Sequence, residues 1–122
     1  MPINSSIFFL PVTIISETYH FYHDILCLPL YQKHGDSLCI FDTGYGYWGF
    51  CQYGDGRALL SGPKGVCLSL NLDDNDEVLS CYEKLKDRVR IFKQPQQHER
   101  FPVYSFFVCD PDDYLVEFQK IA

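Results

Sequence analysis

Ile7-Phe8-Phe9-Leu10-Pro11-Val12 is answered 60 positions later by Cys67-Leu68-Ser69-Leu70-Asn71-Leu72. In both stretches every second residue is apolar: Phe8, Leu10 and Val12 in the first, Leu68, Leu70 and Leu72 in the second. Strict alternation is the mark of a strand with one buried face. The same offset carries Glu17 onto Glu77 and Tyr22 onto Tyr82, so the match extends past the strands into the segments that follow. A fixed internal period means that one supersecondary unit is built twice.

The second copy has the clearer helix. Asp74 and Glu77 stand at capping-box spacing, and Val78, Leu79, Tyr82, Leu85 and Val89 recur at helical intervals. Lys84, Lys86 and Arg88 follow toward the C-terminal end, where the helix dipole favours cations. The first copy predicts a helix over about 16–27, with Tyr19, Tyr22, Ile25 and Leu26 as its apolar stripe and Pro29 as its stop. Short β-rich segments come next, at 30–33, 38–41 and 45–52 in the first half and 91–92, 103–109 and 114–120 in the second. Asp110-Pro111-Asp112-Asp113 joins the last two as a turn with its proline preset at the second position. Each half therefore reads βαβββ, and the expected fold is α+β: one domain, 1–122, of two tandem modules whose sheets each carry a helix on one face. Module one covers about 5–53, a Gly-rich connection about 54–65, and module two about 66–121.

Composition narrows the functions open to such a fold. Ten basic and 16 acidic side chains leave a net charge of −6, a poor basis for displacing counterions from nucleic acid. No apolar run approaches the ~20 residues that span a bilayer. The N-terminus has no basic residue ahead of Ile7-Phe8-Phe9-Leu10 and does not read as a signal peptide. Six cysteines stand singly inside apolar runs, as expected of reduced thiols in a cytoplasmic protein. Gly44-Tyr45-Gly46-Tyr47-Trp48-Gly49 matches GxGxxG but opens no helix. Asp73-Asp74-Asn75-Asp76 lacks the glycine and terminal glutamate of a calcium loop and is better read as a cap.

The tandem repeat, with Phe21-Tyr22-His23-Asp24-Ile25-Leu26-Cys27-Leu28-Pro29 and the ending from Phe106 through Asp110-Pro111-Asp112-Asp113 to Glu117-Phe118, resembles the vicinal oxygen chelate superfamily. That superfamily includes glyoxalase I, the fosfomycin- and bleomycin-resistance proteins and the extradiol dioxygenases, and the resemblance implies that the two tandem βαβββ modules form curled mixed sheets around a cleft. Cys27 and Asp113 stand where it usually has glycine. The turn at Asp113 commonly needs φ > 0, which Asp tolerates better than most residues. The resemblance implies metal-ligand positions at Ile7, near Phe50, at Cys67 and at Glu117. Isoleucine and phenylalanine donate no lone pair, and a thiol with one carboxylate cannot fill a catalytic shell, so no metal and no cofactor is expected. His20 and His23, with Asp24 beside them, are expected to be exposed helix residues; His34 and His98 fall in loops.

Period-2 reasoning then assigns the cleft. Ile7, Phe9, Cys67, Ser69, Asn71, Leu115, Glu117 and Gln119 are expected to face it, together with Trp48, Phe50 and Gln52. A mostly apolar lining with few polar groups suits a small organic ligand. Glu117, in apolar surroundings, is the candidate general acid or base, because burial raises a carboxyl pKa. Cys67 has no cation in view to activate it and reads as an inert thiol. Trp48 is placed to stack on a flat or cationic ligand. The expected function is a metal-independent small-molecule-binding protein of the glyoxalase/bleomycin-resistance type. The acidic charge and Tyr45, Tyr47, Trp48 and Tyr53 favour an aromatic or cationic ligand. The alternative is a lyase or isomerase using Glu117, with or without a divalent metal, and the resemblance implies a homodimer.

Overall fold

A computed structural model describes residues 1–55, 62 and 64–122, so most of the Gly-rich connection lies outside the described residues. The chain divides into two compact units, Met1–Leu60 and Ser61–Ala122.

The first unit runs β1 (Ile7–Pro11), α1 (Ile15–Tyr19), a π-helical segment (His20–Ile25), β2 (Leu30–His34), β3 (Leu38–Asp42) and β4 (Tyr47–Cys51). Its sheet has the order β1-β4-β3-β2, with β1 parallel to β4 and the other pairs antiparallel. The second unit runs β5 (Cys67–Asn71), α2 (Asn75–Leu85), β6 (Arg90–Gln97), β7 (Val103–Cys109) and β8 (Leu115–Ile121), in the order β5-β8-β7-β6 with the same pairing directions. Two four-stranded mixed sheets, each with its helix, make the α+β fold of two βαβββ modules. The 60-residue offset holds for the starts of β1 and β5, α1 and α2, and β2 and β6. It lengthens after that because β6 is an eight-residue strand, far longer than the two residues its sequence predicts. Pro95 hides it: proline breaks a strand pattern yet is tolerated on a sheet edge, and the β6–β7 register slips on both sides of Lys93.

In the first unit the core lies between sheet and helix, with Phe21, Tyr22, Phe41, Trp48 and Phe50 as its large rings and Val12, Ile15, Cys39 and Ile40 filling in around them. Tyr22 is fully buried and stacks on Phe50 at 4.4 Å, with Phe41 and Trp48 around it. In the second, Val78 and Leu85 of α2 pack over Phe106, Val108, Val116 and Phe118. Leu79, expected in the apolar stripe, is exposed, because the inward positions are Val78, Tyr82 and Leu85.

Local chemistry sets the ends. The Asp74 side chain accepts from the Glu77 N–H at 2.8 Å, satisfying a free donor of α2 as its spacing predicts. The first helix begins at Ile15 and turns π-helical, with the Leu26 N–H returning to the Phe21 carbonyl. Cys27 then adopts φ 61° and lets the Leu28 N–H close on the Tyr22 carbonyl. Asp113 adopts φ 65° in the β7–β8 turn, where Asp110 Oδ1 accepts from the N–H groups of Asp112 and Tyr114. Both residues that replace glycine in the family pattern therefore take up the conformation that glycine would serve.

Candidate functional site

Register decides which side chains share a face. In a ladder, directly paired residues project to the same side. In the second module Ser69 pairs with Glu117, which pairs with Phe107; Asn71 pairs with Gln119, and Cys67 with Leu115. Val116 and Phe118 alternate with these and are buried under α2. Cys67, Ser69, Asn71, Leu115, Glu117 and Gln119 therefore stand together on the face away from the helix, the open face.

That face carries a short hydrogen-bonded row. The Ser69 hydroxyl donates to Glu117 Oε1 at 2.7 Å. The Cys67 thiol lies 3.9 Å from the same oxygen and 3.6 Å from Ser69 Oγ. Beside them the Gln119 amide donates to Asn71 Oδ1 at 2.9 Å. Glu117 is thus set among polar partners rather than in the apolar surround expected for it. Cys67 is exposed, yet partial desolvation against the sheet pushes its thiol up; Ser69 pulls it back, and the neighbouring Glu117 charge pushes it further. A thiol held protonated is a poor nucleophile. Leu115 lies along the sheet, lining a concavity of about 300 Å³ with Arg90, Phe92 and Cys109.

The first module corrects the sequence reading. Ile7 and Phe9 lie on its open face and are 42% and 48% exposed. Their partners on β4 are Tyr47 and Gly49, whereas Trp48 and Phe50 pair with Phe8 and Leu10. Trp48 and Phe50 thus point toward the helix, at 9% and 0% exposure, and line no cleft. Trp48 sits 5.8 Å from Phe8 and cannot stack on a ligand from there. Gln52 belongs to the helix as well: its Oε1 accepts from the Ile15 N–H at 2.9 Å, capping a helix whose own Ile14 has no capping side chain. The assignment of β4 was wrong by one residue, and such a slip turns every side chain over.

Gly49 held the missing signal. A Cβ at this position would meet Phe9 Cδ1 at 2.7 Å and the Phe8 carbonyl at 2.8 Å. A glycine amid bulky strand residues marks a close approach, and Phe9 is what approaches. Tyr47, which sequence reasoning set among exposed aromatics, stands on this face and packs on Tyr31 at 4.4 Å.

The positions that the family resemblance assigns to metal ligands can now be tested as donors. Ile7 has none, Phe50 is buried in the core, and Gly49, which shares Ile7's face, has no side chain. Cys67 and Glu117 remain, already bonded to each other and to Ser69. Among the described residues no group of three or more His, Cys, Asp or Glu is placed to hold a metal ion. This donor set does not fit a catalytic divalent cation. On the first helix, His20 Nδ1 and His23 Nδ1 lie 2.9 and 2.8 Å from the two oxygens of Asp24. Those two contacts hold the Asp24 carboxyl below its ordinary range.

No protein-family model matches the sequence, and no curated protein matches it. Solved structures do. A lactoylglutathione lyase from Agrobacterium tumefaciens is similar over 98% of this chain and 94% of its own, with TM-score 0.77 and 17% identity. A glyoxalase/bleomycin resistance protein/dioxygenase family enzyme from Burkholderia phytofirmans PsJN gives TM-score 0.80 at 15% identity, covering 95% of this chain and 97% of its own. A hypothetical protein from S. aureus gives 0.80 at 20% identity, over 100% and 96%. With two βαβββ modules of identical strand order, the chain has the fold of the glyoxalase/bleomycin resistance/dioxygenase structures.

Proposed function

We propose that this chain is a metal-independent small-molecule-binding protein of the glyoxalase/bleomycin-resistance type, with Glu117 on the open face of the second module as the ligand's polar anchor. One observation carries the reading. Glu117 Oε1 collects Ser69 and Cys67, while Oε2 has no partner and the carboxylate has no cation among the described residues. A preoriented carboxylate beside Phe107 is a ready acceptor for a ligand N–H or ammonium. The net charge of −6 favours such a ligand. The test is a melting-temperature screen of small aromatic amines in the presence of EDTA, repeated with Glu117→Gln. A saturable rise in the parent that the variant loses supports the reading; equal rises in both proteins defeat it.

The second reading, a lyase or isomerase with Glu117 as acid or base, is favoured by the 2.7 Å Ser69 contact that fixes the carboxylate. Loss of turnover with retained binding in Glu117→Gln would select it. We further propose a homodimer, on the strength of Ile7 and Phe9 exposed on an edge strand. A monomeric mass by light scattering at micromolar concentration would exclude it. A cytoplasmic location fits six cysteines that are all free. Fractionation with a periplasmic or secreted pool would contradict it. No helix among the described residues is long and apolar enough to cross a membrane.

A further inference from the structure

We propose that a second site, under the β6–β7 hairpin of the second module, binds a small oxyanion, a carboxylate or phosphate, independently of Glu117. The hairpin is built to be concave. Pro95 supplies no N–H, and the register slips between Ile91 and Lys93 and again between Lys93 and Gln96, so the edge strand bends from its partner. The hollow has a volume of about 240 Å³, and its lining includes Lys93, Gln96, His98, Arg100, Ser105 and Phe107. A cavity of that size holds a fragment rather than a cofactor.

The charges around it are not consumed by the protein. Lys93 lies over the Phe107 ring at 5.9 Å and Arg100 over Phe101 at 5.6 Å, and neither has an acidic partner among the described residues. Glu99 also lines the hollow, which leaves two cations against one carboxylate in a chain of net charge −6. His98 adds a directed donor. Its Nδ1 accepts from the N–H groups of Arg100 and Phe101, at 3.0 and 3.1 Å. A neutral imidazole whose Nδ1 accepts carries its proton on Nε2, and that N–H has no partner among the described residues. The loop thus fixes one neutral donor in the same hollow as two cations that have no acidic partner among the described residues. Such a constellation recognises oxyanions by charge-assisted hydrogen bonds.

The experiment is a ¹⁵N-edited NMR titration of the full chain with benzoate, inorganic phosphate and benzylamine, run on the parent, Lys93→Gln, Arg100→Gln and Glu117→Gln. Both cationic residues are exposed, so these substitutions leave the core untouched. Benzoate or phosphate is expected to shift the amides of 93, 98 and 100 saturably, and to move the His98 Nε2 resonance; the amide of Phe107, which pairs with Glu117, is left out of the readout. The tighter of the two names the anion as carboxylate or phosphate. Either cation variant is expected to weaken binding about tenfold, the loss of one charge-assisted contact, while Glu117→Gln leaves it unchanged. Binding of benzylamine at the same amides, no saturation by either anion, or equal affinity in Arg100→Gln would overturn the site. The Glu117 control separates its failure from that of the ligand site above.

Discussion

The residue paired with Phe9 in the first module is Gly49; the residue paired with Ser69 in the second is Glu117. The two positions are equivalent in sheets of the same strand order, yet one has no side chain and the other the face's sole carboxylate on its strand. On the helix side the modules differ in degree only: Phe8, Tyr22, Phe41, Trp48 and Phe50 fill the first, Phe106, Val108, Val116 and Phe118 the second. On the open side they differ in kind, Ile7, Phe9 and Tyr47 against Cys67, Ser69 and Glu117. A duplicated fold keeps its buried faces alike because packing requires volume, while its open faces are released to diverge. The second module is accordingly where chemistry is proposed.

Breaking the first module's core should give the largest effect. Phe50→Ala removes a fully buried ring from its stack on Tyr22 and should cost about 3–5 kcal/mol in urea unfolding, without changing ligand affinity in protein that remains folded. A small stability loss with a large affinity loss would restore Phe50 to the open face. Gly49→Ala should come next. Its Cβ meets backbone as well as the Phe9 ring, so roughly 1–3 kcal/mol is expected. A neutral result would show that Phe9 does not lie over Gly49.

The helix starts provide a finer contrast. Asp74 caps α2 from the adjoining residue, whereas Gln52 caps the first helix from beyond the end of β4. Asp74→Ala and Gln52→Ala should each lower stability by about 1 kcal/mol. A silent Gln52→Ala would mean that water serves the Ile15 N–H equally well. The smallest effect is read in chemistry. At pH 8 Cys67 should alkylate more slowly than Cys27, followed by site-resolved mass spectrometry, because partial desolvation and the Glu117 charge raise its pKa although both thiols are exposed. Glu117→Gln removes the charge repulsion, lowers that pKa and should speed the reaction. An unchanged rate would uncouple the two side chains.

Much of this architecture is legible in local signals. The Asp74 cap, the Asp110–Asp113 turn and the positive φ of Asp113 each follow from side chains acting on neighbouring backbone. What stayed hidden depends on distant partners. The parity of β4 is set by pairing with β1, and an aromatic run such as Tyr47-Trp48-Gly49-Phe50 alternates too weakly to fix it alone. The π-helical segment shifts the helical period within the stripe that was to be read. The hairpin hollow arises from register slips beside Pro95, which the sequence presents only as a break. The β5 and β8 residues share the face away from the helix, as their cleanly alternating apolar neighbours imply; Trp48, Phe50 and Gln52 lie on the helix side instead.

The proposed metal-independent site at Glu117 is tested most directly by elemental analysis of protein purified without chelator, per protomer, for Zn, Ni, Mn, Fe and Co. With only Cys67 and Glu117 to offer among the described residues of the site, the account predicts no stoichiometric metal, and ligand-induced stabilisation unchanged by EDTA. Near-stoichiometric metal, or binding that EDTA abolishes, would contradict it.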